Sequence, residues 1–256
     1  MSEEDKYWME HLTELRRRLI WVLITFVLTL VIGFLFAKPM IDFLKTDLLD
    51  GTLGRTMELN IFSPGEALSI FMQFAFVVAF TITLPVALFQ LWRFVQPGLT
   101  SSEQKATLTY IPFAVVLFLI GLFFGYYWIF PFLLQFMSKL TTTLGATETY
   151  GMYEFFRFMF RIVLPIAFLF ELPVLIMFLT RIRLLRPDLL RKGRRYAYLG
   201  MVILAALVTP PDLISNILVS IPLIFLYEVS ILLSTRVYHK MIREEAAREA
   251  SWQEQE

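Results

Sequence analysis

Cysteine is absent from the 256 residues of the chain. Without cysteine, neither a disulfide framework nor a thiolate metal site can form, and the redox compartment cannot be inferred. Histidine is scarce as well, since the chain has only His11 and His239, and both lie outside the apolar blocks. The sequence shows no metal-ligand spacing, no nucleophile motif and no nucleotide-binding site. We therefore predict a protein that is not an enzyme, with no catalytic residue, no metal and no cofactor.

Charge is also scarce. Charged residues make up 18% of the chain and the net charge is +1, whereas an average soluble domain is about 25% charged. So small a net charge creates no field that attracts nucleic acid, and no nucleic-acid partner is expected. The sequence also lacks internal repeats, low-complexity tracts and room for a separate soluble domain.

Apolar residues, by contrast, are abundant and arranged in long blocks. They make up 57% of the chain and include 26 phenylalanines. A helix of about 20 apolar residues crosses a hydrocarbon core of about 30 Å, and the blocks lack the alternation of barrel strands. The sequence therefore predicts an all-α, polytopic membrane protein with six transmembrane helices, at about 19–36, 68–91, 108–136, 162–179, 196–208 and 213–233. The first block lacks a small-residue cleavage site, so it is expected to be retained.

Basic residues predict the orientation. If the N-terminus is cytoplasmic, 17 of the 23 lysines and arginines lie on the cytoplasmic side, and cytoplasmic loops carry such an excess. We therefore predict a multi-pass protein of the cell (cytoplasmic, or inner) membrane with both termini cytoplasmic. Two long outer loops are expected at 37–67 and 138–161. Residues 1–238 would form a single membrane domain, and residues 239–256 a charged, helical cytoplasmic tail.

The last two predicted spans are short. The fifth has 13 residues, or about 20 Å of helix, and it ends before Pro210 and Pro211, which cannot continue a helix. The sixth begins almost at once, with Ser215 and Asn216 in its first turn. Such a hairpin either thins the membrane and draws in water, or is tolerated beside longer neighbours. The sequence leaves both readings open.

Glu171 lies in the middle of the fourth predicted span, in the stretch AFLFELPVLIMF. An intramembrane carboxylate is costly and usually faces a partner or a wet cavity. Its alternative is a neutral glutamic acid bonded to a neighbouring helix. Glu228 is a second intramembrane carboxylate, nearer the cytoplasmic end, and it could extend to the interface. No Lys, Arg or His is expected at the depth of either carboxylate. A proton-coupled small-molecule transporter that uses Glu171 is therefore the alternative function, although no relay of ionisable groups accompanies it.

Carboxylates also gather at the predicted cytoplasmic face. Glu10 and Glu14 are four residues apart, on one face of a helix that precedes the first span. Pro97 and Gly98 indicate a turn after the second span, and Glu103 follows in the first turn of the next predicted helix. Each carboxylate alone is typical of a solvated helix surface. Together they offer a site where a basic peptide could dock.

Four motifs give the sequence a family resemblance. They are HLTELRRRL, LWRFVQPGL followed by Glu103, FELP and TPPD, in this order. Together they resemble TatC, the multi-spanning receptor subunit of the twin-arginine protein translocase. The resemblance runs from His11 to about Tyr238 and leaves out the charged tail.

The resemblance implies two groups of functional residues. The N-terminal segment and the first cytoplasmic loop would bind twin-arginine signal peptides of folded preproteins, through Glu14, Arg16, Phe94, Pro97 and Glu103. An intramembrane polar patch would hold partner subunits, through Glu171, Thr209 and Asn216, with Pro210, Pro211 and Asp212 forming the hairpin turn. Asn216 stands where the family usually has Gln.

The resemblance also implies partners. Single-span TatA-type subunits and, where present, TatB-type subunits would assemble on the chain within the lipid bilayer, and the chain would associate with itself in the complex. The chain would recruit these subunits for export driven by the membrane gradient. It would bind its substrates and not transform them chemically.

Overall fold

A computed structural model of the chain describes residues 3–48, 59–98, 104, 108–146, 148–209 and 212–253, with the backbone alone for 3–11 and for most residues after Glu244. Within these ranges the fold is nearly all-helical. In chain order, the elements are α1 (Glu3–Thr46), β1 (Leu59–Asn60), α2 (Pro64–Val95), a 3₁₀ turn (Gln96–Gly98), α3 (Tyr110–Phe124), a π-helical turn (Gly125–Ile129), α4 (Phe130–Thr143), β2 (Tyr150–Gly151), α5 (Met152–Leu169), α6 (Leu172–Arg181), α7 (Pro187–Lys192), α8 (Arg194–Val208) and α9 (Leu213–Gln253).

Within the described residues, five helical stretches are long and apolar enough to cross a membrane. They are Leu12–Thr46, Pro64–Val95, Tyr110–Thr143, Met152–Arg181 and Leu213–Glu244. These contain the first, second, fourth and sixth predicted spans, and the third except for its first two residues. The fifth predicted span, 196–208, lies in α8, which has only 15 residues and measures about 22 Å.

The helices extend well beyond their apolar blocks. The stretch 138–161, predicted as an outer loop, is mostly helical, since α4 ends at Thr143 and α5 begins at Met152. Polar and charged residues such as Arg157 and Arg161 fit a helix end that lies outside the lipid, so hydropathy gives the span and misses its extensions. The short strands β1 and β2, which the all-α prediction misses, pair in parallel through Leu59 with Tyr150 and Asn60 with Gly151.

The chain forms two compact units. Unit 1 comprises Met1–Gln104 and Phe130–Arg161, and unit 2 comprises Lys105–Ile129 and Ile162–Glu256. In unit 1, Phe74 is fully buried and makes edge-on ring contacts with Phe156 and Phe160, at centroid distances of 4.9 and 5.0 Å. Such edge-to-face contacts add directional attraction to apolar packing. They join the middle of α2 to α5.

In unit 2, α9 packs along α6 and α8. The hydroxyl groups of Thr180 and Ser234 lie 2.7 Å apart, and both residues are fully buried. Tyr227 donates a hydrogen bond to the backbone oxygen of Leu190 at 3.0 Å, which ties α9 to α7. Hydroxyl pairs of this kind join helices where apolar burial cannot drive association.

Gly121 allows α3 to approach α5 closely. A Cβ atom at Gly121 would lie 2.7 Å from the Cα of Ala167 and 2.8 Å from the Cβ of Phe170. Neither of these atoms belongs to the flexible end of a side chain. Small residues permit such backbone approach between membrane helices.

We therefore expect Gly121→Ala to lower the free energy of unfolding in detergent by about 1–3 kcal/mol, because the added methyl group overpacks the contact. Gly200→Ala is the matched control, because a Cβ atom at Gly200 would meet nothing within 4 Å. The measurement is the melting temperature of both variants. Equal melting temperatures would show that the close approach of α3 and α5 is not a packing requirement.

Candidate functional site

Helices α1 and α2 run antiparallel, and their register places the predicted peptide-binding residues at one end of unit 1. The rings of Phe34 and Phe71 lie 5.6 Å apart, and the hydroxyl groups of Thr29 and Thr83 lie 3.0 Å apart. Glu14 lies 15 residues before Thr29, a helix length of about 22 Å. The same length beyond Thr83 ends in the 3₁₀ turn Gln96–Gly98. The register therefore brings Glu14 level with that turn.

Glu14 is paired with another residue of its own helix. Its Oε1 accepts a hydrogen bond from Arg18 Nη2, and the two side chains form an ion pair one helical turn apart. The Glu14 side chain is 36% exposed and the Arg18 side chain only 15%. The Glu14 side chain is therefore partly accessible, while the side chain of Arg18 lies largely covered. Arg16 and Arg17 are exposed.

The end of α2 supplies the other half of this site. Phe94 is half-buried in the last turn of α2, and Pro97 is exposed within the 3₁₀ turn. The side-chain amide of Gln104 donates a hydrogen bond to the backbone oxygen of Gln96 at 3.2 Å. Its oxygen accepts one from the side-chain amide of Gln96 at 3.3 Å. These bonds hold Gln104 beside the 3₁₀ turn. Glu103, the residue before Gln104, lies outside the described residues.

Glu171 lies at the break between α5 and α6. The α5 helix ends at Leu169, and Glu171 occupies the position before α6, where Pro173 follows near the start of the helix. The backbone oxygen of Glu171 accepts a hydrogen bond from the amide of Leu175 at 2.9 Å. Its side-chain Oε1 is buried and has no hydrogen-bond partner among the described residues. Leaving a buried acceptor without a hydrogen bond costs free energy, and the described residues supply no bond that would offset this cost.

The other predicted polar residues lie at the turn between α8 and α9. Thr209 ends α8, is 5% exposed and donates its hydroxyl to the backbone oxygen of Ala205 at 2.9 Å. Asp212 Oδ1 caps α9 by accepting the amide of Ser215 at 2.7 Å. Asn216 is half-buried, and its Oδ1 accepts the hydroxyl of Ser220 at 3.3 Å. Pro210 and Pro211 lie outside the described residues.

No hydrogen bond within the described part of the chain joins Glu171 to Thr209 or Asn216. Thr180 contacts Ser234 on α9. This contact serves as a common reference point on the two helices. Glu171 lies nine residues before Thr180, or about 14 Å along its helix, while Asn216 lies 18 residues before Ser234, or about 27 Å along α9. The structure therefore groups Thr209 and Asn216 at one turn and provides no direct bond from that turn to Glu171.

Glu228 has a cationic partner, Arg194, although no basic residue was expected at its depth. Arg194 Nη2 donates to Glu228 Oε2 at 2.8 Å, and the hydroxyl of Tyr198 donates to Glu228 Oε1 at 2.5 Å. Arg194 lies in the first turn of α8, so it reaches a carboxylate that hydropathy places inside the span. The expectation of no basic residue at this depth was wrong, because the long side chain of Arg194 extends from α8 to Glu228 on α9.

A second ion pair involves Arg181, which the sequence showed only as one basic residue among many. Arg181 is 2% exposed, and its Nη2 donates to Glu244 Oε2 at 3.0 Å. The pair links the end of α6 to α9, 63 residues further along the chain. A sequence separation this large gives no local signal, so the partner of Arg181 could not be found from the sequence.

Three comparisons with known proteins agree. The family model for TatC, the Sec-independent protein translocase protein, matches residues 10–222. A relative in Halalkalibacterium halodurans, the Sec-independent protein translocase protein TatC, is 43% identical over 256 residues, 100% of both chains. The protein TatCy of Bacillus subtilis is 43% identical over 93% of this chain and 92% of its own.

A solved structure is similar as well. The crystal structure of a twin-arginine translocase receptor TatC superposes with a TM-score of 0.76 and 33% identity, over 89% of this chain and 99% of the other. The fold, the motifs and the relatives lead to one assignment. The chain belongs to the TatC family of Sec-independent protein translocase proteins, which are translocase components and not enzymes.

Proposed function

We propose that the chain is the receptor that binds twin-arginine signal peptides of folded preproteins. The observation that carries this proposal is the position of Glu14. Its carboxylate is partly exposed and lies, by helix register, level with the turn that contains the exposed Pro97. Glu103 would supply a second carboxylate, since the next residue, Gln104, is bonded to Gln96. Arg16 and Phe94 would complete the peptide-binding surface.

Arginine suits this surface better than lysine does. The planar guanidinium can donate two parallel hydrogen bonds to one carboxylate, and an ammonium group cannot reproduce this geometry. Two neighbouring arginines would engage Glu14 and Glu103 together. The apolar segment of the signal peptide would then enter along the helices.

A photoreactive residue tests the position of the bound peptide. We expect a twin-arginine peptide to crosslink to a probe at Pro97, which is exposed at the turn after α2. The control probe replaces Leu144, which is 83% exposed and lies in the segment predicted to face outward. A crosslink at Leu144 that equals the one at Pro97 would contradict the proposed surface.

The proposed receptor has six spans, with both termini in the cytoplasm and the short α8 as the fifth span. Residues 1–238 form its membrane domain, and residues 239–256 its cytoplasmic tail, in the cell (cytoplasmic) membrane. The basic residues support this orientation, since the excess lies on one side.

Cysteines introduced at Thr147 and Lys192 test this topology. Only the cysteine at Thr147 should be labelled from outside intact cells, and labelling of both would contradict the topology.

The proposed partner surface consists of Glu171, Thr209 and Asn216. Glu171 is only half-buried, and its Oε1 has no hydrogen-bond partner among the described residues. This supports the role, because a polar group from a single-span helix could bond to the accessible part of the carboxyl group. TatA-type and, where present, TatB-type subunits would occupy this surface, and the chain would associate with itself in the assembled complex. Transport would use the membrane gradient.

Glu171→Gln should preserve partner assembly better than Glu171→Ala, because a neutral amide still bonds across a helix interface. Each intramembrane hydrogen bond contributes about 0.6–2 kcal/mol, so the alanine variant should weaken assembly without abolishing it. The measurement is copurification of a single-span subunit with each variant. A Glu171→Gln variant that assembles fully and yet transports nothing would favour the alternative function, a proton-coupled transporter, because glutamine cannot exchange a proton.

A further inference from the structure

The Glu14 carboxylate, proposed above to receive a signal-peptide arginine, is bonded to an arginine of the chain itself. Arg18 lies four residues later, and its Nη2 donates to Glu14 Oε1. A glutamate that precedes an arginine by four residues is the favourable order for such a pair on a helix. The bonded group is a guanidinium, the same chemical group that the peptide would present.

The burial of the two side chains makes the pair asymmetric. Arg18 is only 15% exposed, while Glu14 is 36% exposed. Thr29 contacts both Ala79 and Thr83 on α2, and Arg18 lies 11 residues before Thr29, so Arg18 is level with the last turns of α2. Arg18 is therefore the more covered partner of the pair. A peptide guanidinium that engages both oxygens of the carboxylate must take Oε1 from Arg18.

We propose that Arg18 is an internal competitor for Glu14, and that peptide binding exchanges one guanidinium for another at this carboxylate. The inference rests on the proposed receptor function. Binding through Glu14 then replaces one charge-assisted hydrogen bond by another, so that the net gain in affinity is small. Charge is conserved in the exchange: Arg18 leaves Glu14 Oε1 and turns toward solvent.

The exchange gives Arg18 a role in specificity. A peptide guanidinium can match the bonds that Arg18 gives up, since its planar fork engages a carboxylate at two points. A lysine ammonium offers a single point charge and displaces Arg18 less well. Arg18 would therefore raise the discrimination between arginine and lysine at the cost of absolute affinity.

The rival role for Arg18 makes the opposite prediction. If Arg18 only holds Glu14 in the orientation that receives the peptide, its removal should weaken binding of every peptide. If Arg18 competes, its removal should tighten binding. The two roles can therefore be separated by the direction of one affinity change.

The test uses the full chain in lipid nanodiscs, with a synthetic twin-arginine signal peptide and a version in which lysine replaces the first arginine. We expect Arg18→Gln to bind the twin-arginine peptide about two- to fivefold more tightly, the range of a partly exposed ion pair, and to bind the lysine version with a larger gain. Arg17→Gln is the matched control, since it removes the same charge from an exposed neighbour. Affinities of both variants are compared at one salt concentration.

A double variant keeps the test specific to Glu14. In Glu14→Gln/Arg18→Gln, the gain caused by the loss of Arg18 should disappear, because the carboxylate that was competed for is gone. If Arg18→Gln and Arg17→Gln bind equally, or if Arg18→Gln binds more weakly while its melting temperature is unchanged, the competitor role is wrong. If Glu14→Gln alone leaves affinity unchanged, the receptor role of Glu14 is wrong instead.

Discussion

Glu103→Lys is expected to abolish export of twin-arginine substrates, whereas Glu103→Gln should only lower it. The lysine replaces attraction for a peptide arginine by repulsion at the same place. The glutamine loses one charge pair, which contributes about 1 kcal/mol at an exposed site, or about a fivefold change in binding. A local effect is expected, because the next residue, Gln104, is bonded to Gln96 beside Pro97. The measurement is export of a folded reporter protein.

The control for this prediction is Glu154→Lys. Glu154 is 68% exposed and lies in the first turn of α5, on the side predicted to face outward, so the same charge reversal should leave export unchanged. Copurification of single-span subunits should survive Glu103→Lys, because their proposed surface, Glu171, Thr209 and Asn216, does not include Glu103. If Glu103→Lys exports substrates normally, Glu103 does not bind the peptide and is only an acidic residue at a predicted helix start.

Glu244→Ala is expected to destabilise the packing of α9 on α6. It would leave Arg181, which is 2% exposed, without the carboxylate that accepts its hydrogen bond at 3.0 Å. Removing one partner of a buried ion pair costs about 3–5 kcal/mol. Since Glu244 is 33% exposed, we expect a smaller loss, of about 2–3 kcal/mol. The melting temperature in detergent should fall by roughly 5–10 °C.

Glu154→Ala is the matched control for Glu244→Ala. Glu154 also pairs with an arginine, Arg157, at 3.6 Å, but both side chains are more than half exposed. An exposed pair contributes little to stability, so the melting temperature of this variant should stay within about 2 °C of the wild type. If the two variants have the same melting temperature, the buried pair of Arg181 and Glu244 contributes no more to stability than the exposed pair of Arg157 and Glu154.

Much of the fold follows from hydropathy. The apolar blocks predict the five helical stretches that are long enough to cross a membrane, and Pro210 and Pro211 predict the end of the short α8. Hydropathy could not predict how far α1 and α5 extend, because helices continue into water wherever caps or packing support them. The parallel pair of β1 and β2 was also missed, since two-residue strands have no periodic signal.

The candidate sites were predictable in part. Motifs identify Glu14 and Glu171 by type and position, and the structure adds their surroundings: an ion pair for Glu14 and a buried, unpartnered oxygen for Glu171. The bond from Glu14 to Arg18 could have been inferred from their spacing of four. The partner of Glu228 comes from another helix, 34 residues away, so only the folded chain reveals it.

Direct binding of a twin-arginine peptide to the full chain tests the receptor function most directly. The affinity of the peptide is measured in nanodiscs for the wild type and for Glu14→Gln, at low and at physiological salt, beside a twin-lysine peptide. The account predicts that the wild type prefers the arginine peptide, that Glu14→Gln loses much of this preference, and that salt weakens binding, because exposed charges are screened beyond about 8 Å at physiological ionic strength. Equal binding of both peptides by the wild type, independent of salt and of Glu14, would contradict it.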